Sequence, residues 1–369
     1  MNQEQIPEGI SAHPDLISVI IPAYNAARSL PAALAAAQGQ THQNLEILIV
    51  DDGSQDETGQ VARNAAARDD RVRVIAQSNQ GVAAARNAAI AQARGAFIAP
   101  LDADDVWHRR KLELQLDALR RSPGAKCAYC WQFEIDEEDR VGRVPIEGPR
   151  WEGWVLPVLV LENFVGSAST PLISRSALVE IGGYDETLRA RNAQGCEDWK
   201  VSLLLAERFP FAAVPLSLTG YRQVRQSMST NTDTMLRSFD IVLGEIRNRH
   251  PELPPELFRW SRSKLANWLA YRAWHAGDLT ATARMASLAI RKDPWLAGPL
   301  AGHAGRMIRD RISAPFVKVG PRRLSHEFEP EHHPPRPHLR GRVHRRGLKA
   351  LKHAARGEGP VGAPWESGC

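Results

Sequence analysis

Short β-branched runs alternate with alanine-rich helical stretches at the start of this 369-residue chain, and the alternation predicts an α/β fold. Polar, acidic or aromatic residues follow the apolar runs. Parallel βαβ units with right-handed crossovers bring all such strand ends to one rim. Tyr24, Asp51, Asp52, Asp102 and Asp104 are therefore expected to meet there.

Ile17–Ile21 is the first strand, stopped by Pro22, with Ala23-Tyr-Asn25 as its turn. Ser29 before Leu30-Pro31 starts a helix that ends near Gly39. Glu46–Val50 is the second strand, followed by Asp51-Asp-Gly-Ser54. Ser54 and Glu57 fit a capping box for a helix reaching about Asp69. Val72–Ile75 is the third strand; Val82–Arg94 is a helix with Gly95 as its left-handed cap. Ala96–Leu101 then reads as a buried strand leading into Asp102-Ala-Asp-Asp105. Pro100 is tolerable only at that strand's end.

Carboxylates spaced this closely repel one another unless solvent or a cation lies among them. Hard divalent cations take oxygen ligands, often one or two carboxylates plus substrate phosphates. Open α/β sheets bind ligands beyond the carboxyl ends of their strands. Asp102-Ala-Asp104 thus reads as a metal–diphosphate site, and a solvated acidic turn is the plainer alternative. No G-x-G-x-x-G follows the first strand and no G-x-x-x-x-G-K-[ST] occurs, which argues against a nicotinamide-binding Rossmann domain and a P-loop NTPase.

Four segments together resemble glycosyltransferase family 2: Val19-Ile-Ile-Pro-Ala-Tyr-Asn25, Ile49-Val-Asp-Asp-Gly-Ser54, Asn79-Gln-Gly-Val-Ala-Ala-Ala-Arg-Asn87 and Leu101-Asp-Ala-Asp-Asp105. Each alone is weak, but their order and spacing are specific. The likeness resumes at Gly166–Ser174, Ile181–Glu186 and Cys196-Glu-Asp-Trp199. It implies a GT-A fold, a Rossmann-like mixed sheet flanked by helices. It also implies transfer of a sugar from a nucleotide-sugar, a UDP-sugar by expectation, with Mg²⁺ or Mn²⁺ and inversion. Carried over by motif, Asp104 holds the metal, and Asp102 shares it or holds the donor ribose. Pro22, Tyr24, Asp51, Asp52 and Arg86 belong to the donor site, with Tyr24 on the base, Asp52 accepting its N–H and Arg86 on the base or phosphates. Asp198 is the general base, with Glu197 as second choice; an acidic first turn of a helix is the structural alternative. Arg222 and Ser227 reach the diphosphate or close a loop. Arg109 and Val224 depart from the residues common in relatives, Pro and His respectively.

Rival readings are a nucleotidyltransferase of the same fold, a sugar- or nucleotide-binding module without turnover, and a nucleic-acid or membrane adaptor acting through the basic tail. The acceptor could be a glycan, a lipid-linked glycan or a small molecule, in cell-surface glycan or polysaccharide synthesis.

Farther along, Trp107–Arg121 reads as a helix, Lys126–Glu134 as a strand and Asp136–Pro149 as a charged hairpin or loop. Leu236–Arg249 is helical, and Leu257–His275 with Leu279–Arg291 forms a helical hairpin turning at Gly277, resembling one tetratricopeptide-like unit. A single such unit must dock elsewhere. Trp260, Trp268 and Trp274 are expected to be packing residues. The expected divisions are a mobile lead-in at 1–15, a catalytic domain at 16–232, a helical extension at 233–314 and a basic, disordered tail at 315–369.

Apolar residues make up 43% of the chain and charged ones 24%, ordinary values for a soluble globular protein. No apolar run approaches the ~20 residues of a membrane-spanning helix, which argues against a synthase that threads its own polymer through a bilayer. With no signal-peptide pattern and only four cysteines, a cytoplasmic location is expected. Cys127 and Cys130 lack the second pair a zinc site wants and read as half-buried strand residues. The net charge of +5 concentrates its basic excess after Ala314. Residues Arg340–Arg356 suit either peripheral contact with an anionic inner-membrane face or, equally, a solvated tail with no partner, with nucleic acid disfavoured, and His326, His332 and His333 lack the spacing of a metal site.

Overall fold

The structure, a computed structural model, describes residues 13–141, 150–223 and 231–293. Its first half is β1 (His13–Ala23), α1 (Leu30–Gln38), β2 (Leu45–Asp51), α2 (Thr58–Ala66), β3 (Val72–Ala76), α3 (Val82–Gln92) and β4 (Gly95–Pro100). There follow β5 (Val106–Trp107), α4 (Lys111–Arg121), β6 (Cys127–Ile135), α5 (Leu156–Leu161), β7 (Leu172–Ser174), α6 (Arg175–Glu180), α7 (Thr187–Ala190), α8 (Glu197–Ala206) and β8 (Phe211–Arg222). Three helices finish the described chain: α9 (Thr232–Arg249), α10 (Pro255–His275) and α11 (Leu279–Lys292). None is long and apolar enough to cross a membrane, among the described residues.

The strands form one sheet in the order β3-β2-β1-β4-β7-β6-β8-β5. β1 to β4 are mutually parallel, β7 is antiparallel to β4 and β6, and β5 is antiparallel to β8. This is the mixed α/β sheet the sequence predicts. The central strands are covered on both faces, which is why they read as continuous apolar runs. Ile20, Leu48 and Ile98 pack on one face with residues of α3, α8 and α9 to α11. Val19, Ile47 and Ala99 pack on the other with residues of α1, α2 and α4.

Pro22 does not stop β1; the strand runs on to Ala23, with Pro22 opposite Val50. The ladder to β4 has ended by then, at Ile20 and Pro100, so the missing N–H is not needed. Pro100 in turn lies past Phe97 and Ile98, the two residues β7 pairs with. The capping box at Ser54 does not form. α2 begins at Thr58, and the Ser54 hydroxyl instead accepts the Asn25 N–H at 3.0 Å. Gly95 is not a left-handed cap, since α3 closes at Ala93 in extended geometry. A Cβ at Gly95 would lie 2.6 Å from the Leu16 carbonyl oxygen, so glycine serves close backbone approach there. Trp107, expected to open a helix, pairs with Thr219 as Val106 does with Gly220, and α4 starts only at Lys111.

Cys127 and Cys130 are fully buried, deeper than expected, on opposite faces of β6 as strand periodicity requires. They cannot share a metal. The helical hairpin α10–α11 is present, turning at Gly277 with φ +83°. Expectations for the lead-in before residue 13, for Val224 and Ser227, for the tail after 315 and for His326, His332 and His333 lie outside the described residues.

Candidate active site

The site is built at the carboxyl ends of β1, β2 and β4. After β1, Tyr24 stands 49% exposed. The loop behind it is stitched to the start of α2. Gln55 N–H donates to Asn25 Oδ1 at 2.8 Å, Ala26 N–H to Thr58 Oγ1 at 2.7 Å and Ala27 N–H to Asp56 Oδ2 at 3.1 Å. At the end of β2, Asp51 turns into this loop, where Oδ1 accepts the Ser54 N–H at 3.0 Å. Asp52 is buried, and its two oxygens accept Gln77 Nε2, Gln80 N–H and Gly81 N–H, each at 2.8 Å. It therefore shapes the loop leading into α3. Gly81, at φ +92°, would place a Cβ 3.0 Å from the Arg189 side chain, so the loop passes close under Arg189.

Asp102, Asp104 and Asp105 follow β4. Ser169 holds their loop: its hydroxyl accepts the Asp102 N–H at 3.0 Å, and its carbonyl accepts Trp107 Nε1 at 2.8 Å. Burial and the neighbouring Asp102 charge push Asp104 up to about 6. Burial, then Asp104 and Asp102, drive Asp105 well above the usual carboxylate range. Asp105 Oδ1 accepts the Arg222 N–H at 3.0 Å, while Oδ2 is buried without a hydrogen bond. Arg222, at the end of β8, is itself buried. Its guanidinium donates to the Asp104 and Asp136 carbonyls, both at 2.7 Å, and to Asp139 Oδ1 at 2.5 Å. Arg222 thus fastens the acidic loop to the end of β6.

Arg86 projects from α3 and is 4% exposed. It pairs with Asp102 Oδ1 at 2.5 Å and lies over the Tyr184 ring, 5.0 Å from its centroid. Burial opposes its charge, but Asp102, Tyr184 and Asp198 more than offset that, so it stays firmly protonated. Its neighbour Asn87 clamps the 184–186 turn, donating to the Tyr184 carbonyl at 2.9 Å and accepting the Tyr184 N–H at 2.9 Å. Glu197 and Asp198 open α8. Glu197 is buried, and its Oε2 accepts the Gly195 N–H at 2.7 Å, capping its own turn. Burial pushes Asp198 up to about 7; Arg86 pulls the other way and Glu197 adds to the rise.

These groups face one cavity of about 1500 Å³. Pro22, Tyr24, Asp52, Arg86, Asp102, Asp104, Glu197, Asp198 and Arg222 all line it; Asp51 does not. Motif matching over the sequence thus converges on a single space. The sequence reading missed the far wall, where Lys264, Trp268, Tyr271 and Arg272 of α10 also line the cavity. Trp268, expected to be packed away, is 39% exposed there.

Residues 18–179 match the family model of glycosyl transferase family 2. The teichuronic acid biosynthesis glycosyltransferase TuaG of Bacillus subtilis is 40% identical over 242 residues, 64% of this chain and 90% of that protein. The chain belongs to glycosyl transferase family 2. A chondroitin synthase of Escherichia coli is 35% identical over 149 residues, 40% of this chain and 21% of that protein. The chain spans 34% of a matching Rickettsia felis glycosyltransferase, so several family relatives are much longer than the part shared. Among solved structures, Staphylococcus aureus TarS 1–349 in complex with UDP-GlcNAc matches with TM-score 0.49 and 15% identity, over 73% of this chain and 90% of that one.

Family 2 enzymes commonly use a divalent cation, and the residues here fit one. Asp102 and Asp104 present hard carboxylate oxygens to the cavity; burial raises Asp104 most, and the Asp102 charge adds a repulsion that a cation would relieve. No group of three or more His, Cys, Asp or Glu side chains forms a cage for a metal, among the described residues.

Proposed function

We propose that this chain moves a sugar from a UDP-sugar to an acceptor hydroxyl on a growing glycan, with inversion at the anomeric carbon and a divalent cation held by Asp104 and Asp102. The observation that carries the proposal is the shared cavity of Asp198 with Asp102 and Asp104. A hydroxyl is a poor nucleophile until a base takes its proton, and a base works best with a pKa near the working pH. Asp198, raised to about 7, meets that condition, while Glu197 is committed to its own turn.

In the reaction, the acceptor O–H gives its proton to Asp198. The freed electron pair forms the new bond to the anomeric carbon. The bond from that carbon to the phosphate oxygen breaks, and its electrons leave with the nucleoside diphosphate. The bound cation supplies charge stabilisation for the departing diphosphate. Tyr24, half exposed at the cavity edge, offers a face for the base. Asp52 already accepts three hydrogen bonds of the roughly four a carboxylate can take, which leaves one for a base N–H. The names of the relatives, teichuronic acid biosynthesis and chondroitin synthase, support a polysaccharide as the acceptor.

Asp198→Asn is expected to keep UDP binding and lose transfer by ~10²–10⁴-fold. Transfer is read as UDP released from a panel of UDP-sugars with Mn²⁺. Collapse of UDP binding in that variant would make Asp198 a structural residue, and release of pyrophosphate would indicate nucleotidyl transfer instead.

A further inference from the structure

The cavity is larger than one donor requires. Pockets for single small ligands run to about 300–1,000 Å³, and this one is about 1500 Å³. Tyr24 lies in its β1 wall and the carboxylates lie at the strand ends. The α10 wall contributes Ser261, Lys264, Leu265, Trp268, Tyr271 and Arg272, spaced three and four apart on one helix face. The matched family segment ends at residue 179, so this wall lies beyond it.

The opposite face of α10 explains why the helix is there. Ala266, Leu269 and Ala273 are buried on it. Burial does not explain Trp268, whose side chain is 39% exposed on the cavity face. Arg272 lies one turn along, its Cζ 6.0 Å from the Trp268 ring centroid, and its Nη1 donates to Gln223 Oε1. One turn in the other direction, Lys264 pairs with Glu162 at the end of α5. The Trp199 and Phe239 rings stack at 4.7 Å, and both line the same cavity.

A pyranose has an apolar C–H face and an edge of hydroxyls. An exposed indole offers an apolar platform for the face. A flanking ion pair offers a donor and an acceptor for the edge. We infer that α10 carries the acceptor subsite of this chain. In it a sugar ring of a carbohydrate acceptor stacks on Trp268, and its hydroxyls meet Lys264, Glu162 and Arg272. The inference rests on the glycosyl-transfer reading for the word acceptor, but the binding itself does not need turnover. It commits to a carbohydrate, not to a lipid or a small non-sugar alcohol.

Saturation-transfer NMR on the full chain tests it, with UDP and Mg²⁺ present. The probes are di- to tetrasaccharides of glucose, N-acetylglucosamine, N-acetylgalactosamine and glucuronic acid. At least one is expected to show saturation of its ring C–H protons. Trp268→Ala should weaken that binding by about ten-fold or more, ~1.4 kcal/mol. Trp268→Phe should retain most of it, and UDP affinity should be equal in all three proteins. No binding of any oligosaccharide to the unsubstituted chain would overturn the inference, and so would equal binding by Trp268→Ala. UDP binding is scored separately. Its absence alongside Trp268-dependent oligosaccharide binding would sink the donor reading and leave the α10 subsite standing.

Discussion

Arg86 sets the charge balance of the cavity. It is a buried cation whose charge acts on Asp102 and Asp198 together, so it couples the donor side to the base. Ionised Asp198 is required to accept a proton, and burial works against that ionised form while Arg86 favours it. Transfer should therefore fall as the pH drops below about 7. Arg86→Gln should move this acid limb upward, since the opposing charge is gone. The rate ratio of variant to unsubstituted chain should then be lower near about pH 6 than near about pH 8, measured as kcat/KM with acceptor varied. A ratio independent of pH would separate Arg86 from the ionisation of Asp198. At this scale the sequence was informative where a residue sits in a local motif: Tyr24, Asp52, Arg86, Asp102 and Asp104 all reach the cavity. It was less informative about what a side chain does on arrival. Nothing local shows that Arg222 turns inward to donate to the Asp104 and Asp136 carbonyls, because those partners are 118 and 86 residues away.

Among the elements, the end of the sheet opposite the cavity is fixed by Glu46 of β2. Its side chain is 2% exposed. Oε1 accepts Ser18 Oγ at 2.7 Å and the Arg94 N–H at 2.6 Å, and Oε2 accepts Arg94 Nε at 2.9 Å. Ser18 Oγ in turn accepts the Gly95 N–H at 2.9 Å, so one carboxylate ties β1, β2 and the entry to β4 together. Burial alone would raise its pKa, but the Arg94 and Ser18 hydrogen bonds win and lower it. A carboxylate lowered on folding stabilises above its unfolded value of 4.5 and loses that contribution as the pH falls through its folded value. Glu46→Gln should cost ~1–3 kcal/mol at neutral pH. The gap should close on acidification through the range below 4.5, read from urea midpoints across pH. A gap that persists at low pH would show that shape, not charge, is what Glu46 provides. The strands themselves were legible because both faces are buried and their residues are β-branched. Their ends were not, because a strand stops where its neighbour stops: Pro22 stays in β1 only because β4 no longer pairs there. Val106-Trp107 is a strand because β8, more than a hundred residues later, supplies the pairing.

At the scale of the whole molecule, the helices after β8 are part of the same core as the sheet. Val242 and Ile246 of α9, Leu257 and Leu269 of α10 and Met285 of α11 share one buried cluster with Tyr129 of β6 and Trp199 of α8. Ser261 Oγ donates to the Val160 carbonyl at 2.5 Å, so α10 is also hydrogen-bonded to α5. A helical hairpin of this size cannot bury both its faces alone. The described chain should therefore unfold as one cooperative unit. Leu257→Ala, which leaves a hole where α10 meets that core, should cost about 2–5 kcal/mol. By calorimetry it should lower a single transition without splitting it. A chain ending at Gln223 should lose cooperative unfolding altogether, because the apolar surfaces of α5 and α8 would lie open to water. Two resolved transitions in the full chain, with Leu257→Ala moving only one, would mean that the hairpin folds independently. The cavity wall formed by α10 would then rest on a docked module instead of on the shared core.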